Sequence, residues 1–399
     1  MSTFYIIGLS DDIKTSFTPD VAPIITSHRV FSGGKKQLEI VGNMLPEESV
    51  WIDINYPLEH VLASYESFAG SEDIVVFASE DPIYYGFTTS IMQHLPDVKL
   101  KMFPTFSSLH RLADHLMIPH HDMYVIDFEN HGWHSFDFAL IKGKGKIGLN
   151  TDHVHTVQSI AYRMMEYGYS NYSLYVGENM NSKSRRVVRK MKLVSAVSGH
   201  FDYPNCVILV KDYENPSQPF GLPDHFFTRV RGQELKITPL PVRLFSLSLL
   251  DLKNRSQFWD IGFCTGSVAI DAKLQFPHLH VTAFEVDEEC GKLINTNSRR
   301  CGTPGIHTIL RDFCKADLEL LERPDAVFIG GHGGKLLEIV SKVVERIDAG
   351  GIIVFSSRDC DSNALFLEAA QMNEIQVLEQ TRFTIDNYQT CTVFKALCM

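Results

Sequence analysis

At 399 residues the chain exceeds one typical hydrophobic core, so two domains are expected. Its composition, 44% hydrophobic and 21% charged, is that of an ordinary globular protein, and a net charge of −11 argues against a nucleic-acid partner, which favours a basic face. The eight cysteines show no C-x-x-C pair and no zinc spacing, so they read as thiols of a reducing cytosol. The opening run has no basic n-region and is too short for a signal peptide or a span. A cytoplasmic protein without a membrane partner is the expectation.

Strands and helices alternate along the chain. In the first half Phe4–Gly8, Ile74–Ala78, Lys99–Phe103, Met123–Ile126, Lys146–Leu149, Ser173–Val176 and Cys206–Val210 read as short buried strands. Helical periodicity covers Ser107–Leu116 and Val157–Tyr167. Such alternation predicts an α/β fold with parallel or mixed sheets. Asp212–Pro223 has three prolines and no periodicity, and the boundary between domains 1–212 and 222–399 is placed there. In the second half strands are expected at Phe258–Ile261, His280–Phe284, Thr308–Leu310, Ala326–Ile329 and Gly351–Ser356, with helices between them. Gln376–Thr384 and Thr390–Lys395, joined by a short turn, must pair antiparallel. The second half therefore reads as Rossmann-like, closed by an antiparallel hairpin.

The segment Asp260–Ser267, DIGFCTGS, carries the most chemistry. A strand ending in an acid, a glycine-spaced turn and a helix start together make a nucleotide-binding geometry. Glu285 ends the next strand about 25 residues on, near the ~20-residue offset at which a carboxylate reaches a ribose hydroxyl. The glycines are spaced G-x-x-x-G rather than G-x-G-x-x-G, and Asp260 precedes the turn. An acid there suits a ligand with a positive amino or sulfonium group, S-adenosylmethionine (SAM), over a pyrophosphate. A nicotinamide site and a ligand-free turn are the alternatives.

Other segments join this one. Gly330-Gly331-His332-Gly333-Gly334 stands where the fourth strand ends, the edge at which open α/β sheets bind ligands. His332 is a candidate for proton transfer or for a bond to a substrate carboxylate; a solvated histidine in a glycine turn is the plain alternative. Asp312 and Phe313, after the third strand, fit an adenine corner, with a helix-capping Asp as the alternative. Thr238-Pro-Leu-Pro-Val-Arg243 precedes a helix at the place where a lid attaches. Arg243 either pairs with an acidic substrate or forms a surface ion pair. His120-His121-Asp122, His131 with His134, and His153 with His155 lack a matching carboxylate or thiolate cluster, so no metal is expected.

Taken together these segments resemble the decarboxylating precorrin-6Y methyltransferases, two-domain enzymes of cobalamin biosynthesis. The second half is similar to the domain that methylates carbon 15 and decarboxylates the ring-C acetate. The family's threonine-plus-Val-Arg segment, D-x-G-x-G-T-G-S loop, acid after strand two and PDAVFIGG-x-GG signature match Thr238–Arg243, Asp260–Ser267, Glu285 and Pro324–Gly334. The first half resembles the two-lobed tetrapyrrole-methylase domain that methylates carbon 5. Its ASGDPxxYG and P-x-x-SSL motifs fall on Ala78–Gly86 and Pro104–Leu109. Gly8-Leu-Ser-Asp-Asp12 departs from the family's G-x-G-P-G loop, Glu80 stands where glycine is usual, and Cys264 replaces the central glycine of the second loop.

The resemblance implies SAM as cofactor and a tetrapyrrole substrate, precorrin or cobalt-precorrin, with a homo-oligomer expected. In the second half it assigns the cofactor to Thr238, Asp260, Gly262, Phe263, Cys264, Thr265, Gly266, Glu285, Asp312, Phe313, Gly330 and Gly331. In the first half it assigns Ser79, Asp81, Tyr84, Gly86, Ser107 and Ser108. His332 and Arg243 are the catalytic candidates, aimed at the acetate-bearing edge. Two alternatives stand beside this reading: an enzyme active only in its second half, and a non-catalytic SAM- or tetrapyrrole-binding module.

Overall fold

The computed structural model describes residues 2–9, 17, 19–54, 57–79, 87–126, 128–182, 184–214, 219–229, 237–385 and 389–399. The chain divides into two compact units. One is made of Met1–Val125, Lys146–Val157 and Ser173–Val210; the other of Ile126–Gly145, Gln158–Tyr172 and Lys211–Met399.

Among the described residues of the first unit, β1 (Thr3–Leu9), β2 (Val30–Gly33), β3 (Val50–Asp53), β4 (Ile74–Ser79) and β5 (Lys99–Phe103) form a sheet ordered β3-β2-β4-β1-β5. Its neighbours run parallel, with Ile6 opposite Val76. Alternate residues serve opposite faces: Phe4, Ile6, Val30 and Val76 pack in one cluster, Ile7, Phe31, Val75 and Phe77 in another. Burial on both faces explains the unbroken apolar runs of β1 and β4. A second sheet, β6-β7-β10-β8-β9, is built from β6 (Tyr124–Ile126), β7 (Lys146–Asn150), β8 (Tyr172–Glu178), β9 (Val187–Met191) and β10 (Asn205–Lys211). There β7 with β10 and β8 with β9 pair antiparallel. The strands β2, β3 and β9 escape the sequence reading. The first two are four residues long, and β9 is a charged, mostly exposed segment without an apolar face.

The second unit carries a sheet ordered β13-β12-β11-β14-β15-β17-β16. Its strands are β11 (Gln257–Ile261), β12 (His280–Glu285), β13 (Ile306–Leu310), β14 (Ala326–Ile329), β15 (Ile352–Ser357), β16 (Gln376–Ile385) and β17 (Gln389–Leu397). The first five run parallel, whereas β17 pairs antiparallel with both β15 and β16, as the terminal hairpin predicts. The chain leaves β11 toward β12 on one side and returns to β14 on the other. The crevice for a ligand therefore opens above the carboxyl ends of β11 and β14.

This unit also contains helical segments that precede the proline-rich segment: Phe128–Ile141, broken by a kink at Gly132 (φ 48°), and Val157–Glu166, the latter from Gln158 onward. Arg163 grips the buried Asp137 with two bonds, Nε to Oδ1 at 2.7 Å and Nη2 to Oδ2 at 2.6 Å. Burial pushes the Asp137 carboxyl up, and the Arg163 guanidinium opposes it. The His134 ring stacks on His280 at 3.7 Å, and Tyr169 Oη donates to the Gly302 carbonyl at 2.6 Å. At the other end of the proline-rich segment Leu222 is buried, its N–H donating to Asp271 Oδ1 at 3.0 Å.

A testable consequence concerns Arg163. Arg163→Ala strands the Asp137 carboxylate, 1% exposed, and is expected to lower unfolding stability by about 3–5 kcal/mol. The double change Arg163→Leu with Asp137→Leu should recover much of that loss. Urea unfolding of the three proteins checks it; a single-variant loss under about 1 kcal/mol would show that the pair does not hold these helices.

Candidate functional site

The loop after β11 turns on three left-handed residues, Gly262 (φ 72°), Cys264 (φ 50°) and Gly266 (φ 76°). At Gly262 a Cβ would overlap the backbone of Gly331, and at Gly266 it would overlap the Ile294 side chain. The first constraint brings the ends of β11 and β14 backbone to backbone. The second seats the helix Ser267–Gln275 against the helix Glu288–Arg300. Gly262 N–H donates to the Phe284 carbonyl and Gly330 N–H to the Ile261 carbonyl, each at 2.9 Å.

Above this floor lies a cavity of about 880 Å³, lined among the described residues by Gly262–Cys264, Phe284–Asp287, Arg311–Phe313 and Gly330–Lys335. Ile237–Pro239 and Ser356–Asp359 complete much of its remaining wall. Glu285 faces it from the end of β12, accepting Cys264 N–H on Oε2 at 3.1 Å and Val286 N–H on Oε1 at 2.8 Å. Two backbone donors fix the carboxylate and leave each oxygen acceptor capacity for a diol. Asp312 accepts Cys314 N–H at 3.1 Å and the Lys335 ammonium at 2.5 Å, and Lys335 holds its carboxyl below the usual range. Phe313 packs edge-on to Phe284 at 5.0 Å and to Trp259 at 6.0 Å while still bordering the cavity.

His332 also lines the cavity, with both ring nitrogens engaged. Gly334 N–H donates to Nδ1 at 3.2 Å, which places the ring proton on Nε2, 2.9 Å from Ser362 Oγ. Ser362 in turn donates its N–H to Asp359 Oδ1 at 2.7 Å, and bonds from Ser362 hold the Asp359 carboxyl low. Thus Gly334, Ser362 and Asp359 fix the ring, and proton transfer by His332 would have to displace one of these bonds.

Several sequence expectations change here. Arg243 does not face the cavity: it is fully buried, paired with Asp271 and with Asp224 at 3.0 Å, and donates to the carbonyls of Leu222 and Thr238. Its role is to tie the segment before the helix Leu240–Leu249 to the body of the unit. Asp260 lies beneath the loop, with Oδ2 accepting Ala269 N–H at 3.0 Å and Oδ1 unpartnered among the described residues. Thr265 and Gly266 support the turn from behind, and Thr238 stands on the wall. In the first unit Ser107 caps the helix Ser108–His115 and Ser108 Oγ accepts from Asn181 at 3.3 Å. Asp81, Tyr84 and Gly86, with Glu80, lie outside the described residues, as does the side chain of Ser79.

Sequence reading missed Arg311, Lys335, Cys290 and Arg358 on the cavity wall. Arg311 and Arg358 directly follow strand ends, the one positional signal that could have found them. No group of three His, Cys, Asp or Glu side chains suited to a metal, and no helix long and apolar enough to cross a membrane, occurs among the described residues.

Burial, aided by the nearby Glu285 charge, pushes the Asp260 carboxyl up to about 7, while the bond from Ala269 opposes the rise. The folded protein therefore holds a proton that the unfolded chain has lost between pH ~4 and ~7, and stability falls as pH climbs through that window. Asp260→Asn does not titrate. In the ligand-free protein its stability relative to wild type is expected to rise by roughly 2–4 kcal/mol between pH 4 and pH 8. Parallel unfolding curves at both pH values would refute the assignment.

A family model described as the precorrin methyltransferase domain matches residues 231–396. A precorrin-6Y C(5,15)-methyltransferase [decarboxylating] of Sinorhizobium sp is 26% identical over 381 residues, 91% of this chain and 86% of the relative. A probable cobalt-precorrin-6B C(15)-methyltransferase (decarboxylating) of Thermoplasma volcanium is 33% identical over 159 residues, 39% of this chain and 76% of the relative. A crystal structure of precorrin-6Y C5,15-methyltransferase from Geobacter metallireducens GS-15 is 27% identical, with TM-score 0.41, over 45% of this chain and 98% of that one. Because the Thermoplasma relative is 33% identical across three quarters of its own length, the chain belongs to the precorrin methyltransferase family.

Proposed function

We propose that this chain is a SAM-dependent methyltransferase that methylates a precorrin-6Y-type macrocycle at carbons 5 and 15. It also decarboxylates the ring-C acetate, a step toward cobalamin. The observation that carries the reading is the cavity over β11, β12 and β14, where the glycine loop, Glu285 and the GGHGG turn meet. A Cβ at Gly262 would overlap the Gly331 backbone, so glycine there lets the cofactor loop and the GGHGG turn meet at the rim of this cavity.

These residues fit SAM. Glu285 suits the ribose hydroxyls, the 262–264 backbone the amino-acid end, and Asp312 with Phe313 the adenine. When bound, SAM supplies an electrophilic sulfonium methyl. The chain's own residues then orient the acceptor and exclude water, since an electron-rich tetrapyrrole needs no protein nucleophile. The five residues Gly330–Gly334 carry one side chain among them, that of His332, and leave room for a broad planar ring. Arg358, whose Nη2 also donates to the Ile237 carbonyl at 2.8 Å, places a cation on the same wall for a carboxylate-bearing substrate. Loss of CO₂ leaves an electron pair in the conjugated ring, and one proton must be returned there.

The carbon-5 activity is drawn from the first half's tetrapyrrole-methylase motifs and from the Sinorhizobium relative, whose name covers both positions and whose similarity spans 91% of this chain. The same reading divides the chain into a carbon-5 domain, 1–212, and a carbon-15 domain, 222–399. It describes a cytoplasmic homo-oligomer acting on free tetrapyrrole without nucleic acid or membrane.

Two measurements test this. Purified full-length protein given the precursor, metal-free or cobalt-loaded, and isotopically labelled SAM should add two methyls and release CO₂. One methyl would confine activity to a single half, and none would overturn the reading. Glu285→Ala is expected to weaken SAM binding by about 1.5–3 kcal/mol with the fold intact, as read by calorimetry and circular dichroism. Unchanged affinity would remove Glu285 from the site.

A further inference from the structure

The loop residue Cys264 and the helix residue Cys290 both line the cavity, and their sulfurs stand 3.9 Å apart with Cys290 donating its S–H to Cys264 Sγ. Neither takes part in a disulfide. We propose that this pair is an oxidative modification site: peroxide joins Cys264 to Cys290 in a reversible disulfide that deforms the cofactor floor and shuts off binding. The proposal rests on the methyltransferase reading for its functional consequence and on the sulfur positions for its chemistry.

The geometry separates these two thiols from the other cysteines. Cys290 is buried, as are Cys206, Cys301, Cys391 and Cys398, but it stands within 3.9 Å of Cys264, which is half-buried on the wall of an open cavity that a small oxidant can enter. A disulfide needs an S–S distance of about 2.05 Å, so the sulfurs must close by roughly 1.9 Å. Side-chain rotation and a small shift of a tight loop can supply that. Burial, with Cys264, Glu285 and Asp287 nearby, pushes the Cys290 thiol up, so it remains protonated. Cys264, the more exposed of the two, is the sulfur that an oxidant entering the cavity meets first. The acids Glu285 and Asp287 oppose thiolate formation, so the rate is set by proximity rather than by an unusually acidic thiol.

The chemistry balances. Cys264 sulfur attacks the peroxide O–O bond, forming a sulfenic acid and releasing one water. Cys290 sulfur then attacks the Cys264 sulfur and expels the second water. Two thiols lose two electrons and two protons, and hydrogen peroxide becomes two waters. A dithiol reverses the bond by exchange. The bond would pull on the residue whose N–H holds the Glu285 carboxylate at 3.1 Å, so the loop and the ribose-binding acid move together.

The test uses the full-length protein treated with hydrogen peroxide and then alkylated. Peptide mass spectrometry is expected to find Cys264 joined to Cys290. Calorimetry should show SAM affinity falling at least about tenfold and returning with dithiothreitol. In Cys290→Ala the same treatment should leave affinity within about twofold of that variant's own untreated value. The proposal fails if the cross-linked peptide is absent, if it forms with affinity unchanged, or if Cys290→Ala loses affinity as steeply as wild type. Failure of the reduced wild-type protein to bind SAM would instead overturn the methyltransferase reading, and the cross-linked peptide alone would then decide whether the thiol pair reacts.

Discussion

The close approach of two glycine backbones, Gly262 after β11 and Gly331 after β14, is the constraint on which the site depends. Any side chain at Gly262 would push the strand ends apart. Held together, they bring the cofactor loop, the acid of β12 and the GGHGG turn to the rim of one crevice. The hydrogen bonds from Gly262 to Phe284 and from Gly330 to Ile261 extend this contact into the sheet. Three strand ends are thereby locked in register, and Glu285, Phe313 and His332 take their places as a consequence. Loop, carboxylate and glycine turn are one mechanical object.

Much of this object was legible because its signals are local. Glycine spacing and a strand-terminal acid act within a few residues, and Glu285 follows from the length of one strand–helix–strand unit. The terminal hairpin was legible for the same reason, since a short turn leaves two strands no other pairing. What could not be read depends on partners remote in sequence. Arg243 looks like a lid residue until Asp271, on another helix, claims its guanidinium. Asp260 looks like a ligand contact until the helix start at Ala269 takes one oxygen and burial hides the rest. In the first unit, β2 and β3 are too short to show a period, and the motif at 78–86 falls almost wholly outside the described residues.

Electrostatics divides the second unit into two regimes. Away from the cavity wall the charges are compensated within the protein and serve architecture: Arg243 with Asp271, both fully buried, and Arg163 with the buried Asp137. On the cavity wall the charges are wet and adjustable. The Asp312–Lys335 pair is partly exposed, and Glu285 keeps spare acceptor capacity. His332 stands between these classes, its ring held by Gly334 and Ser362, with Asp359 behind Ser362.

The helices Phe128–Ile141 and Val157–Glu166 bear on how the protein can be dissected. Gene truncation at the proline-rich segment would deliver a fragment with every described cavity residue present. It would nevertheless lack the His134 ring over His280, the Tyr169 hydroxyl on Gly302 and the Asp137 carboxylate whose field supports charge on the buried Lys273. Burial draws that lysine down to about 8, so without Asp137 it would shed its proton more readily. A shortened chain would thus keep its catalytic face but inherit a raw reverse side, studded with rings and polar groups shaped for absent neighbours. Such a surface invites self-association. An assembly state measured on the fragment would then report the scar of the cut rather than the habit of the whole chain.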